Sequence, residues 1–93
     1  MNKKKLKIAR KKIDLLDKKI FNLIIKRTQI VKHMLSLKRY KKQIVDHKRI
    51  KSILKNIKKK SINDGIDPKL SHRIWTSMIW GFVDYQRKNF KKK

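Results

Sequence analysis

The sequence of 93 residues is long enough for one small domain, which we place over residues 1–93. Its 30 lysines and arginines against 6 acidic residues give a formal net charge of +24, which taken alone points to nucleic acid or an anionic membrane. The absence of cysteine excludes disulfides and thiolate metal sites. No run of apolar residues reaches the ~18 that a membrane span requires. We therefore expect a cytoplasmic protein.

The first predicted element is one long helix over residues 6–38, because no glycine or proline occurs before Gly65. At the usual rise per residue it would be about 50 Å long. Its apolar stripe consists of Ile13, Leu16, Ile20, Leu23, Ile24, Ile30, Val31, Met34 and Leu37. A helix of this length is too long for a compact domain of this size. A second chain is needed to cover it, which predicts an intertwined homodimer.

Three cations, Arg10, Arg27 and Lys38, fall on the apolar seam of this helix. A desolvated cation is costly unless a negative group meets it, and the chain has few acidic residues to offer. A single lysine or arginine on an apolar stripe usually places its charged end group in solvent. Three cations on one stripe instead favour a pocket. We expect this pocket to bind a small anion with more than one carboxylate.

Residues 39–45 interrupt the apolar periodicity and are predicted to form a loop, although periodicity alone is also compatible with a continuous helix there. Asp46 is a suitable N-cap for a second helix. This helix should end near Lys59, because lysines at 58–60 suit the negative end of the helix dipole. Its predicted inner face is Arg49, Ile50, Ile53, Leu54 and Ile57.

A turn at residues 63–65 precedes the third helix, with Asp67 as N-cap and Pro68 at the first helical position. The predicted inner face is Leu70, Ile74, Trp75, Met78, Ile79, Phe82, Val83, Gln86 and Phe90. Gln86 needs hydrogen-bond partners if it is buried. A half-exposed glutamine near a helix end is the simpler interpretation of that residue alone. The fold class is all-α, with three helices in each protomer.

The sequence contains few signals of other kinds of catalytic site. The three histidines, His33, His47 and His72, fall outside the inner faces and lack metal-ligand spacing. No serine has a recognisable base partner, and there is no glycine-rich phosphate loop. The sequence predicts neither a metal nor a covalent intermediate.

Several segments together carry a resemblance to a known family. They are residues 10–17 (RKKIDLLD), 26–27 (KR), 37–38 (LK), Asp46 with Arg49, 65–68 (GIDP) and the helix bearing Gln86. In these segments, over about residues 6–90, the chain resembles the all-helical class of chorismate mutases. The resemblance implies a single chorismate mutase-like helical domain, an intertwined dimer with two equivalent sites, and no cofactor.

The resemblance also implies roles for individual residues. Chorismate is a dicarboxylate, so Arg27 would pair with one carboxylate and Arg10, from the other protomer, with the second. Lys38 and Gln86 would flank the ether oxygen of the enolpyruvyl group, where negative charge develops during rearrangement to prephenate. The remaining implied contacts are Asp46 and Arg49 near the ring hydroxyl and the entrance, and Met34, Ile79, Phe82 and Val83 along the apolar wall.

Two departures from the family pattern leave a second reaction open. Mutases of this class commonly carry glutamate where this chain has Ile50, and a small hydroxyl residue where it has Phe82. Both changes make the pocket more apolar and resemble the related isochorismate-pyruvate lyases, which form salicylate and pyruvate. The mutase is favoured because it is the more widespread biosynthetic role and because Asp46 matches an acidic position of the mutases.

Nucleic-acid binding is the alternative from a different class, and the net charge of +24 motivates it. The lysines are spread along the whole chain and not gathered into one block, which argues against this as the main function.

Overall fold

The computed structural model describes Asn2–Lys91. Within that range the chain forms three α-helices, α1 (Lys3–Leu37), α2 (His47–Asp64) and α3 (Pro68–Asn89), and no strand. A short 3₁₀ helix at Lys41–Gln43 separates α1 from α2. The predicted all-α class is therefore confirmed. None of the helices described here combines the length and apolar character needed to cross a bilayer.

The predicted starts of α2 and α3 are confirmed, whereas α1 begins three residues before the predicted start at Leu6 and the predicted end of α2 is wrong. The Asp46 side chain accepts a hydrogen bond from the Arg49 backbone N–H at 3.0 Å, and Asp67 accepts one from Lys69 at 2.9 Å. The α2 helix continues past Lys59 because nothing in residues 58–60 opposes helix. It ends only where Gly65 adopts a left-handed conformation, with φ of 73°.

The chain divides into two compact units, one extending to Val31 and the other beginning at Lys32. The first unit is the larger part of α1. Its apolar stripe is largely uncovered in the single chain: Ile13 is 56% exposed, Ile20 55% and Leu23 62%. The second unit contains the end of α1, the 3₁₀ helix, α2 and α3, and within it α2 packs against α3.

The second unit has a small hydrophobic core. Its buried members are Leu35 from the end of α1, Ile44 from the segment after the 3₁₀ helix, and Val83 from α3. Val45 and Phe90 pack against this cluster. The core therefore joins the end of α1 and the segment after the 3₁₀ helix to α3, and it positions the residues that follow Leu35 and Val83.

On α2 and α3, some residues of the predicted inner faces are exposed in the single chain. Arg49 is exposed, although its neighbours on the predicted inner face of α2 are half-buried. Leu70 and Ile74 of α3 are 54% and 51% exposed, whereas Ile79 is buried. At about 100° per residue, Leu70 and Ile74 lie roughly 180° and 140° around the helix from Ile79, so one packed face cannot include all three.

Candidate active site

The core of the second unit brings Lys38 and Gln86 together. Gln86 follows Val83 by three residues on α3, so it lies one turn beyond that core residue on the same side of the helix. Lys38 directly follows the end of α1, and its backbone N–H donates to the carbonyl oxygen of the core residue Leu35 at 3.1 Å. The Lys38 Nζ donates a hydrogen bond to Gln86 Oε1 at 2.7 Å. Two polar residues that the sequence placed on separate inner faces are thus in direct contact.

Gln86 is only 7% exposed, and both ends of its amide have partners. Its Oε1 accepts from Lys38, while its Nε2 donates to the backbone oxygen of Phe82 at 3.2 Å. The Lys38 ammonium group cannot accept a hydrogen bond, so the amide directs its Oε1 toward Lys38 and its Nε2 toward the Phe82 carbonyl oxygen. After these bonds the ammonium retains two N–H donors and the amide one, among the contacts made by the described residues. The simpler interpretation of Gln86 as half-exposed is therefore wrong.

Burial and one carboxylate shift the pKa of Lys38 in opposite directions. Burial lowers the pKa of Lys38 below the ordinary lysine value of 10.5, and the negative charge of Asp46 opposes part of that shift. Asp46 therefore caps α2 and also acts electrostatically on Lys38. Sequence reasoning identified the cap but missed the effect on Lys38. The available signal was an acidic residue shortly after a seam lysine, in a chain with few carboxylates.

The segment after Lys38 is more ordered than the predicted loop. The Gln43 side-chain oxygen accepts hydrogen bonds from the backbone N–H groups of Arg39 and Tyr40, each at 2.8 Å. The Gln43 N–H in turn donates to the Tyr40 carbonyl oxygen at 3.0 Å. This closed turn fixes the backbone directly beside Lys38. Gln43 is a positioning residue that sequence reasoning did not single out.

The other predicted site residues differ in their surroundings. In the second unit, Met34 is 42% exposed, Ile79 is buried, Phe82 is half-buried, and Val83 lies in the core cluster. Arg10 and Arg27 belong to the first unit, where Arg10 is exposed and Arg27 half-buried. The polar residues brought together within the second unit are thus Lys38, Gln86 and Asp46.

Two other features of the chain lie away from these residues. A cavity of about 450 Å³ is lined by Leu54, Lys58, Pro68, Lys69 and His72, none of which was predicted as a site residue. In Asn2–Lys91 no group of three histidine, aspartate or glutamate side chains is placed to hold a metal ion. All three histidines are exposed, as predicted.

Comparison with known proteins identifies the family of the chain. No curated protein and no solved structure shows significant similarity to it. The family model described as chorismate mutase type II matches residues 9–87. The match covers well over half of the sequence and includes every residue from Arg10 to Gln86. The chain therefore belongs to the chorismate mutase type II family.

Proposed function

We propose that the protein is a chorismate mutase, which rearranges chorismate to prephenate. The observation that carries the proposal is the hydrogen-bonded pair of Lys38 and Gln86, partly withdrawn from water inside the family-matched segment. Withdrawing an ammonium group from water with only a neutral amide as its direct partner is unfavourable for folding. A role in catalysis explains why these residue types occupy these positions.

The pericyclic reaction requires no nucleophile and no proton transfer. The site has to hold a compact conformer of the substrate and stabilise negative charge on the breaking ether bond. Lys38 and Gln86 have unused N–H donors for that oxygen, and the bonds from Lys38 to Gln86 and from Gln86 to Phe82 orient them beforehand. Removing a single donor of this kind typically costs about 10²–10³ in rate.

The two carboxylates of the substrate require further cations, and we assign them to Arg27 and to Arg10 of a second copy. Planar guanidinium groups bind carboxylates through paired hydrogen bonds. The exposed apolar stripe of α1 supports the second copy, because a single chain leaves it in water. The active form in this proposal is an intertwined homodimer.

The remaining contacts complete the proposed pocket. Asp46 and Arg49 act near the ring hydroxyl and the entrance. The apolar wall consists of Met34, Ile79, Phe82 and Val83.

A second candidate reaction is the lyase that releases pyruvate from isochorismate. It is favoured by Ile50 and Phe82, which replace the glutamate and the small hydroxyl residue common in the mutases. Both are half-buried here, and Phe82 lies one turn before Gln86 on α3. The same cations would serve both reactions, so the apolar residues decide between them.

A paired assay on the purified full-length chain tests the proposal. Prephenate formation from chorismate is compared with salicylate formation from isochorismate, under the same conditions. We expect the mutase reaction to have the higher kcat/KM. Faster salicylate formation would replace the mutase with the lyase, and no turnover of either substrate would reject both.

A further inference from the structure

The outer face of α2 carries an uninterrupted row of lysines. Lys48, Lys51, Lys55 and Lys59 follow one another at helical spacing, and all four are exposed. The opposite face of α2, with Ile53 and Leu54, is half-buried and packs against α3. Lysines that look evenly spread in the sequence are therefore gathered on one side of this helix, over about 16 Å.

Within Asn2–Lys91, the structure gives these four side chains no negative partner. None of them makes an ion pair with another described residue, and no acidic residue occurs between Asp46 and Asp64. Positive charges one helical turn apart repel each other and weaken a helix. The row by itself therefore destabilises α2, and an external array of negative charges would reduce the repulsion between the lysines.

We propose that this lysine row binds the phosphate backbone of nucleic acid without sequence preference, as an activity separate from turnover at Lys38. A duplex presents closely spaced phosphates along a rigid path, which matches a straight row of point charges. The apolar side of α2 faces α3 and is not available to insert among lipid chains, as a membrane-bound amphipathic helix requires. Lysines also occur along α1, but Asp14 and Asp17 lie among them.

The proposal is tested with the full-length protein and a fluorescein-labelled 20-base-pair duplex, by anisotropy over a range of salt concentrations. The test variant is Lys48→Gln, Lys51→Gln, Lys55→Gln and Lys59→Gln combined. The control removes four exposed lysines from scattered positions, with the same change in net charge. It combines Lys12→Gln, Lys32→Gln, Lys69→Gln and Lys88→Gln.

We expect the row variant to bind the duplex at least tenfold more weakly at 150 mM salt, and the control to change by less than threefold. The slope of log affinity against log salt should fall by about 3–4 in the row variant, at ~0.9 for each lost phosphate contact. Circular dichroism and chorismate turnover, measured on all proteins, report that the fold persists.

Equal weakening of both variants would overturn the proposal, because overall charge would then explain binding. Failure of the unmodified protein to bind at 150 mM salt would also overturn it. So would tighter, row-dependent binding to phosphatidylserine vesicles than to the duplex, since the partner would then be a membrane surface. The binding readout does not depend on chorismate turnover, so failure of the proposed mutase activity is seen separately.

Discussion

At the scale of single residues, Lys38 has two properties that a surface lysine lacks. It is held by a hydrogen bond to a buried amide, and burial lowers its pKa. It must be protonated to stabilise negative charge on a substrate oxygen. We therefore expect mutase activity to fall as the pH rises through the pKa of Lys38, which lies below 10.5.

Rising pH changes the contribution of Lys38 to folding stability in the opposite direction from its effect on activity. Because the pKa of Lys38 is lower in the folded chain, the unfolded chain binds more protons between the folded pKa and 10.5. In that range Lys38 favours folding increasingly as the pH rises. Titration of Lys38 therefore does not unfold the chain at alkaline pH, and the loss of activity should precede any unfolding. Circular dichroism over the same pH range checks that order.

Replacing Asp46 with asparagine separates its role as the cap of α2 from its charge effect on Lys38. Asparagine caps a helix about as well as aspartate, so the fold should persist. The charge that raises the pKa of Lys38 is lost, so the alkaline decline of activity should move to lower pH. Asp67→Asn, at the cap of α3, is the matched control and should leave the profile in place. An unshifted profile in Asp46→Asn would show that Asp46 does not act on the catalytic charge.

At the scale of elements, the two glycines form a matched pair that compares a helix end with a helix interior. Gly65 ends α2 at φ of 73°, where a side chain is strained, so Gly65→Ala should destabilise the fold by about 1–2 kcal/mol. Gly81 lies within α3, and an added Cβ would meet no atom within 4 Å apart from the adjacent residues and backbone of its own helix. Gly81→Ala should therefore stabilise the fold by up to about 1 kcal/mol.

Urea unfolding monitored by circular dichroism measures both changes. Destabilisation by Gly81→Ala, comparable to that by Gly65→Ala, would show that α3 meets another surface closely at Gly81. Dilution of the protein would then reveal whether that surface belongs to a second copy, because the unfolding midpoint of a dimer depends on concentration.

Much of this fold is predictable from local patterns, since capping residues and helical periodicity act over a few residues. Asp46, Asp67 and Pro68 set the starts of α2 and α3 as expected. The end of α2 was not predictable from Lys59, because lysines are compatible with both the interior and the end of a helix. The sequence also predicted Lys38 and Gln86 on inner faces. It could not predict that Gln43 orders the intervening turn, which depends on side-chain bonds to particular backbone groups.

At the scale of the whole molecule, the proposed site is shared between two copies of the chain. The sharing is tested by combining two inactive variants, Arg10→Ala and Lys38→Met. In a mixed dimer, one site would have intact Arg10 from one protomer and intact Lys38 from the other. Random pairing of equal amounts makes about half the dimers mixed, with one working site in each, so activity should recover to about a quarter of the unmodified level.

The matched control mixes Arg10→Ala with a chain that carries both substitutions, which cannot form an intact site. The two chains of each mixture are co-refolded so that they exchange, and sedimentation confirms the dimer. Recovery in the first mixture alone supports a shared site. Absence of recovery in stable mixed dimers would mean that Arg10 does not act across the dimer.

The measurement that tests the central claim most directly is the rate of prephenate formation by Lys38→Met beside that of Lys88→Met. Methionine retains much of the side-chain volume without the charge, but it leaves the buried Gln86 Oε1 without the Lys38 donor. The fold should therefore persist with a free energy of unfolding lower by about 1–3 kcal/mol, which circular dichroism measures. We predict that Lys38→Met loses at least about 10²-fold in kcat/KM, while Lys88→Met, changed at an exposed site near the end of α3, stays within about twofold. Activity of folded Lys38→Met close to that of Lys88→Met would contradict the assignment of Lys38 as the catalytic cation.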